Sequence, residues 1–308
     1  MLFCNLMSQL YHIPVMLGPC LEGLAIDPTG TYVDVTFGGG GHSQAIVDQL
    51  TTGKLYAFDR DADAVPNADV FPPEKFQLVK ADFRYLKRYL ALYGVQKVDG
   101  LLADLGVSSH QFDEPERGFS IRFDGPLDMR MDQTQHPSAA DILNERSAEQ
   151  LQNILGFYGE VHNAKTLAHA IVKARINNPL KTIADLRKIA EPLAPKFKDF
   201  KYLAQVFQAL RIEVNQELES LKELLVQCAE VIKPGGKLVV MSYHSLEDRL
   251  VKNIINKGNL EGTDVKDVFG NPQLLFKAQN RKPIEADDQE LLDNPRSRSA
   301  KLRIATKL

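Results

Sequence analysis

Four glycines in a row, Gly38-Gly39-Gly40-Gly41, follow directly on the apolar run Tyr32–Phe37 and precede a helix-like stretch from His42 to Leu50. Glycine at the end of a strand lets a ligand lie against the backbone where a Cβ would clash, beside the free N–H groups of a helix start. The spacing is not G-x-G-x-x-G, because Ser43 holds the sixth position counted from Gly38, and this argues against a dinucleotide site. A flexible tight turn is the plain alternative. Asp59 ends the next apolar run about twenty residues on, where a carboxylate can accept both hydroxyls of an adenosine ribose; its competing use is to cap the following helix. Asp82-Phe83 follows a third run and offers a ring to pack on adenine, or simply a core-facing side chain. Asp104 ends a fourth run. Gly38–Gly41, Asp59, Asp82 and Asp104 thus form a row of polar strand ends along one rim, which says more than any member alone.

Tyr243-His244-Ser245 closes a fifth apolar run on the same rim. His244 can take up a proton near neutral pH or contact a polar substrate; a satisfied structural histidine explains it equally well. Glu247, Asp248 and Arg249 read as the ordinary charge cluster of a helix start. Ser108 and Ser109 either bond a substrate or stabilise a turn, with turn chemistry the simpler use. His12, His110, His136, His162 and His169 show no metal-ligand grouping, and no metal site is expected.

The elements that must position these groups alternate. Strands are expected at Tyr32–Phe37, Lys54–Phe58, Phe76–Val79 and Val98–Ala103, with a helix at Arg84–Tyr93, so the fold class is α/β with a doubly wound, mainly parallel sheet. Ligands of such sheets bind beyond the carboxyl ends of the strands. The alternation stops at Leu105, and residues 105–137 carry Gly, Pro, Asp and Arg without periodicity, the mark of a functional lid or a disordered loop. Helices follow: Ser147 and Gln150 make a capping box, Asn163 is placed to cap 164–177, and Thr182 with Asp185 to start another. One long amphipathic helix is expected from about Tyr202 to Ile232, stopped by Pro234-Gly235-Gly236, then a strand at Lys237–Tyr243 and a helix from Leu246 to about Asn256. The simplest organisation is one sheet domain, residues 1–112 and 204–308, interrupted by a mostly helical, substrate-recognising insertion at 113–203.

At 308 residues the chain is long enough for such a domain with an insertion. Its net charge of -3 gives no global sign of a polyanion partner, so any nucleic acid must be held by local basic patches. Two such patches exist. The segment 160–205 holds nine Lys/Arg against four Asp/Glu, including Lys173, Arg175, Lys181, Arg187, Lys188, Lys196, Lys198 and Lys201, and the tail carries Arg281, Lys282, Arg296, Arg298, Lys301 and Arg303. A solvated helix face is the plain reading of the first. Cys4, Cys20 and Cys228 have no paired spacing, which fits a reducing compartment. The apolar N-terminus has no basic residue before Lys54 and no stretch reaches membrane-spanning length, so a cytoplasmic protein without membrane contact is expected.

The motifs FGGGGHS, DGLLADLGVSSHQFD, RGFS, PLDMRMD, FQALRIEVNQEL, SYHSLEDR and NPRSRSAKLR, in that order from Tyr11 to Arg303, resemble those of the bacterial 16S rRNA (cytosine-N(4))-methyltransferase family (RsmH/MraW). The resemblance covers essentially the whole chain and is specific in combination, although each motif is weak singly. It implies a Rossmann-like class I fold, S-adenosyl-L-methionine as methyl donor, and methylation of the exocyclic amine of one cytidine near the decoding centre of 16S rRNA, within the small ribosomal subunit or its precursor. Cofactor contacts carried over from it fall on Gly40, Gly41, His42, Asp59, Phe83, Asp104 and Gln111. Two local departures are Gly39, where relatives often carry a larger residue, and Val35 after Asp34, where glycine is common; neither removes a cofactor contact. The chemistry needs hydrogen-bond acceptors on an amine that is conjugated and weakly nucleophilic. Asp104, with the carbonyls of Leu105 and Gly106, is the natural acceptor group, and Ser108 and His244 complete the catalytic candidates. Many amino-methyltransferases close this motif with an aromatic residue, but Val107 stands there. Phe112, Phe119, Phe123 and Tyr243 all remain open as the ring that stacks the base. Arg117, Arg122 and Arg130 in the long loop, with Arg296 and Arg298 in the tail, are the candidates for holding the RNA and its flipped-out nucleotide. The oligomeric state stays open, a homodimer among the options. Competing readings are a methyltransferase acting on DNA or a small molecule, a nicotinamide-dependent oxidoreductase, and a non-catalytic RNA-binding assembly factor.

Overall fold

The apolar runs that end in Asp34, Asp59, Lys80 and Asp104 are neighbouring strands of one sheet. They are β1 (Thr31–Asp34), β2 (Lys54–Asp59), β3 (Phe76–Lys80) and β4 (Val98–Asp104), joined by β5 (Ile232–Ser242), β6 (Phe276–Ala278) and β7 (Lys301–Lys307). The order is β3-β2-β1-β4-β5-β7-β6, parallel through β5 and antiparallel at β7 and β6. The strands read as nearly continuous apolar runs because both faces are covered. Val33, Tyr56, Phe58, Leu101, Ala103, Leu238 and Val240 enter the core on one face. Their neighbours in the chain Tyr32, Leu55, Ala57, Leu102, Val239 and Met241 enter the other. The sequence direction reverses between β1 and β4, a topological switch point of the kind that binds ligands at the carboxyl ends. The doubly wound α/β fold expected from the sequence is therefore the observed one.

This computed structural model describes residues 14–134 and 137–308; Cys4, Tyr11, His12 and His136 lie outside them. Contacts divide the chain into a sheet unit, ending at Gly106 and resuming at Glu219–Leu308, and a helical unit, Val107–Leu218. The helical unit is wider than the 113–203 suggested by the sequence. The helices in chain order are α1 (Leu17–Leu24), α2 (Gly41–Val47), α3 (Leu86–Leu92), α4 (Ser109–Asp113), α5 (Ala139–Glu145), α6 (Ala148–Gly159), α7 (Ala164–Arg175), α8 (Ile183–Ala190), α9 (Asp199–Asn215), α10 (Glu217–Val231), α11 (Ser245–Lys257) and α12 (Asp288–Asp293). The single long helix expected over 202–232 is two, α9 and α10, separated by Gln216 in the left-handed conformation at φ 50°. No Gly or Pro marks the break, which is why the pattern ran through it.

The helical unit has its own core, built on Leu151, Leu155, Leu167, Ile171, Leu186, Val206 and Leu210. The irregular stretch from Arg117 to Met131 is held by buried polar anchors. Asn215, 2% exposed, accepts from Met131 N at 2.8 Å and donates to Met129 O at 2.7 Å. Arg117, 4% exposed, donates to the carbonyls of Arg130 and Met131. Both anchors satisfy backbone groups that a buried loop would otherwise leave unpaired. Among the described residues, no helix is long and apolar enough to cross a membrane.

Candidate active site

Asp104 ends β4 beside the switch point. Its backbone N–H donates to Thr36 Oγ1 at 2.7 Å, which ties the ends of β1 and β4 together. Tyr243, just beyond β5, donates its hydroxyl to Asp104 Oδ1 at 2.8 Å. His42 Nδ1 lies 3.8 Å from the other oxygen, Oδ2. The His42 ring is held by Nε2, which lies 3.1 Å from Val15 O; because a carbonyl only accepts, this contact uses a proton on Nε2 and leaves Nδ1 toward the carboxylate. Burial raises the Asp104 carboxyl to about 6, against the opposing pull of His42 and the Tyr243 hydroxyl and with a further push from Asp34 and Glu247. The Tyr243 hydroxyl is in turn pushed far up, by burial first and by Asp104 second. The Tyr243 ring also lies beside Gly106, which sits at φ +97°.

The glycine turn is braced from both sides. Gly38 N donates to Asp59 Oδ2 at 2.8 Å, and Asn67 donates to Gly38 O at 2.9 Å. Gly40 sits at φ +79°, and a Cβ there would press on the Phe37 and Phe71 rings at 3.2 Å; Gly41 abuts the Pro14 ring. A Cβ on Gly39 would meet nothing within 4 Å. A residue larger than glycine is thus sterically compatible with this position. Asp59 Oδ1 accepts from Asp61 N at 2.8 Å, so both carboxylate oxygens are oriented by backbone amides and each keeps a second lone pair. Burial raises its carboxyl to about 6 although those two amides oppose it.

Asp34 is the member of the rim that the sequence pattern concealed. It is 1% exposed, accepts from Ser43 Oγ at 2.7 Å and from Thr36 N at 3.0 Å, and so fastens α2 to the end of β1. Its position inside the run YVDVTF made it look like strand interior. Asp82, by contrast, is spent on structure: it accepts from Arg84 N and pairs with Arg60 at 2.9 Å. Phe83 is partly buried against the core under β2 and β3, leaving part of the ring uncovered.

The structure redirects several candidates. Ser108 and Gln111 belong to the helical unit and bond each other: Ser108 Oγ accepts from Gln111 N at 3.2 Å and Gln111 Oε1 from Ser108 N at 3.1 Å, the capping box of α4. This is turn chemistry at Ser108. His244 is the N-cap of α11, its Nε2 is 3.3 Å from Glu247 Oε1 and its ring is 7% exposed, which favours the structural role over a proton carrier. Arg117 is buried on backbone carbonyls, and Arg130 is paired bidentately with Asp128 at 2.9 Å and with Gln133 O. Both guanidiniums therefore serve the loop. Arg303 is likewise paired with Asp248. Arg122, Arg296 and Arg298 are exposed. Gly40, Gly41, His42, Asp59 and Asp104 gather at the carboxyl edge of the sheet unit, joined there by Tyr243.

A family model described as the MraW methylase family matches residues 9–308. The chain belongs to that family. It is accordingly a methyltransferase. Three proteins named ribosomal RNA small subunit methyltransferase H are similar to it along nearly their whole lengths. The one from Cytophaga hutchinsonii is 58% identical over 296 residues, 96% of this chain and 99% of its own. The one from Phocaeicola vulgatus is 53% identical over 301 residues, 97% and 98% of the two chains. The one from Flavobacterium johnsoniae is 52% identical over 299 residues, again 97% and 98%.

Proposed function

We propose that this chain transfers a methyl group from S-adenosyl-L-methionine to the exocyclic N(4) amine of a cytidine in 16S rRNA, in the cytoplasm, on the small ribosomal subunit or its precursor. The observation that carries the chemistry is Asp104 at the switch point, oriented by Tyr243 on one oxygen and facing His42 on the other. The whole-length likeness to ribosomal RNA small subunit methyltransferases supports the substrate class.

The residues fit the donor. The open backbone at Gly39 and the tight turn at Gly40 give a surface for the methionine end, Asp59 offers two oriented acceptors for a ribose, and Phe83 a partly uncovered ring for the adenine. When bound, adenosylmethionine supplies a methyl group activated on a sulfonium. Asp104 accepts a hydrogen bond from the amine N–H and so raises electron density on a conjugated, weakly nucleophilic nitrogen. Transfer would form the N–C bond as the sulfonium C–S bond breaks and leaves adenosylhomocysteine, and the surplus proton on the nitrogen would pass to the Asp104 carboxylate. A carboxyl raised to about 6 is suited to this, being ionised at neutral pH yet basic enough to accept. Tyr243 holds the carboxylate in one orientation, which removes the need to reorganise during transfer. Arg122, Arg296 and Arg298, exposed, hold phosphates of the RNA.

Replacing Asp104 by Ala tests the assignment. Turnover on small-subunit RNA is lost while RNA affinity stays within a factor of about two. A variant that methylates at the parent rate removes Asp104 from the chemistry.

A further inference from the structure

Six consecutive residues, Lys196-Phe197-Lys198-Asp199-Phe200-Lys201, are all exposed at the entry to α9. Phe197 is 97% exposed and Phe200 65%. Two phenylalanines left in water within four residues are unusual in themselves. Phe197 also adopts φ 63°, a left-handed conformation that is a true outlier for a bulky side chain and that Gly or Asn would adopt more easily. Strain of this kind persists where the surroundings impose it and collects at functional surfaces.

Both flanks of the segment are anchored. Asn163 donates to Leu193 O at 3.0 Å just before the segment and accepts from the Tyr202 hydroxyl at 2.9 Å just after it. Tyr202 and Leu203 are buried, 1% and 4% exposed. The segment is therefore a fixed projection with both flanks bound to one side chain. Its charges are three lysines against one aspartate. Aromatic faces interleaved with cations are the composition that binds unpaired nucleic acid: bases stack on the rings and phosphates pair with the lysines. An apolar protein partner would cover the rings and leave the three lysines unmatched, whereas unpaired RNA uses both.

We infer that Lys196–Lys201 is a stacking platform for unpaired bases of the RNA substrate, with Phe197 as its principal ring; this rests on the reading of the chain as an RNA methyltransferase. The platform discriminates single-stranded from duplex RNA, because a paired base offers no free face to stack.

The test measures binding of the full-length protein to a labelled single-stranded RNA of about twelve nucleotides and to a duplex of the same length, within the span one such surface covers. Phe197→Ala weakens single-strand binding about tenfold and leaves duplex binding unchanged, and Phe197→Tyr restores the parent affinity. Lys198→Ala lowers the slope of log affinity against log salt by about 0.7 on the single strand, while Phe197→Ala leaves that slope alone. Equal affinities for the parent and Phe197→Ala overturn the proposal, as does an equal loss on both RNAs. So does a change from dimer to monomer on sedimentation of Phe197→Ala, which would make the patch a contact between copies. Methyl transfer assayed in parallel separates the two claims. If the parent transfers no methyl to RNA yet the Phe197→Ala loss appears, the activity reading fails and the platform stands; transfer without that loss gives the reverse.

Discussion

Tyr243→Phe deletes one hydroxyl and leaves the ring in place beside Gly106. In the parent, that hydroxyl donates to Asp104 Oδ1 at 2.8 Å and favours the ionised carboxylate. A hydrogen bond to a charged acceptor contributes about 1.5–3 kcal/mol, and one pKa unit corresponds to about 1.36 kcal/mol. The Asp104 side chain keeps 22% of its surface exposed, so water replaces part of the lost bond and the lower end applies. The carboxyl then moves up by about one unit, from about 6 to about 7. The sign follows from the roles: Asp104 works ionised, so activity is full above its pKa and falls as pH drops through it. The acid limb of the single-turnover rate therefore shifts to higher pH. At pH 7 the ionised fraction drops from about nine-tenths to about one-half, while well above pH 8 the two proteins run at similar rates. The assay is single-turnover methyl transfer across about pH 5 to 9, with melting curves to establish that the variant is folded. An acid limb that stays put, or moves to lower pH, refutes the claim that Tyr243 acts by holding the ionised form of Asp104.

Further expectations concern the scaffold. Gly40→Ala places a Cβ at φ +79° against two phenylalanine rings at 3.2 Å, and costs about 1–2 kcal/mol in backbone strain alone; thermal melting falls and calorimetric affinity for adenosylhomocysteine drops with it. Gly39→Ala meets nothing within 4 Å, so its stability stays within about 0.5 kcal/mol of the parent; a drop as large as at Gly40 would mean that the turn tolerates no side chain at all. Asn215→Ala leaves Met131 N and Met129 O buried without their partner, a loss of about 2–4 kcal/mol. Urea unfolding measures that loss, and fast hydrogen exchange at Met131 locates it.

The sheet was legible in the sequence because burial on both faces turns its strands into short unbroken apolar runs, each stopped by a polar residue at the same edge. Asp59 and Asp104 could be picked out for that reason. Asp34 could not, since the apolar pattern continues past it to Phe37 and only the Ser43 and Thr36 contacts reveal its role. Long-range partners were equally invisible. Tyr243 meets Asp104 across 139 positions of chain, and Asn215 meets Met131 across 84. The second contact fixes part of a segment without periodicity, within which Arg117 and Arg130, which look like free cations in a loop, are committed to local partners. The break at Gln216 shows the limit of helical periodicity, which continues across a single left-handed residue with no change of composition. Phe197 was hidden for a related reason: an aromatic between lysines reads as an interrupted helix face, and only its exposure and positive φ set it apart.

The most direct measurement uses small ribosomal subunits from cells that lack this activity. They are incubated with the protein and isotopically labelled adenosylmethionine, and the RNA is digested to nucleosides for mass spectrometry. The account predicts label in a cytidine carrying its new methyl on the exocyclic nitrogen, absent with Asp104→Ala. Label confined to a ring carbon, a ribose or another base, or no label on RNA despite cofactor binding, would contradict it.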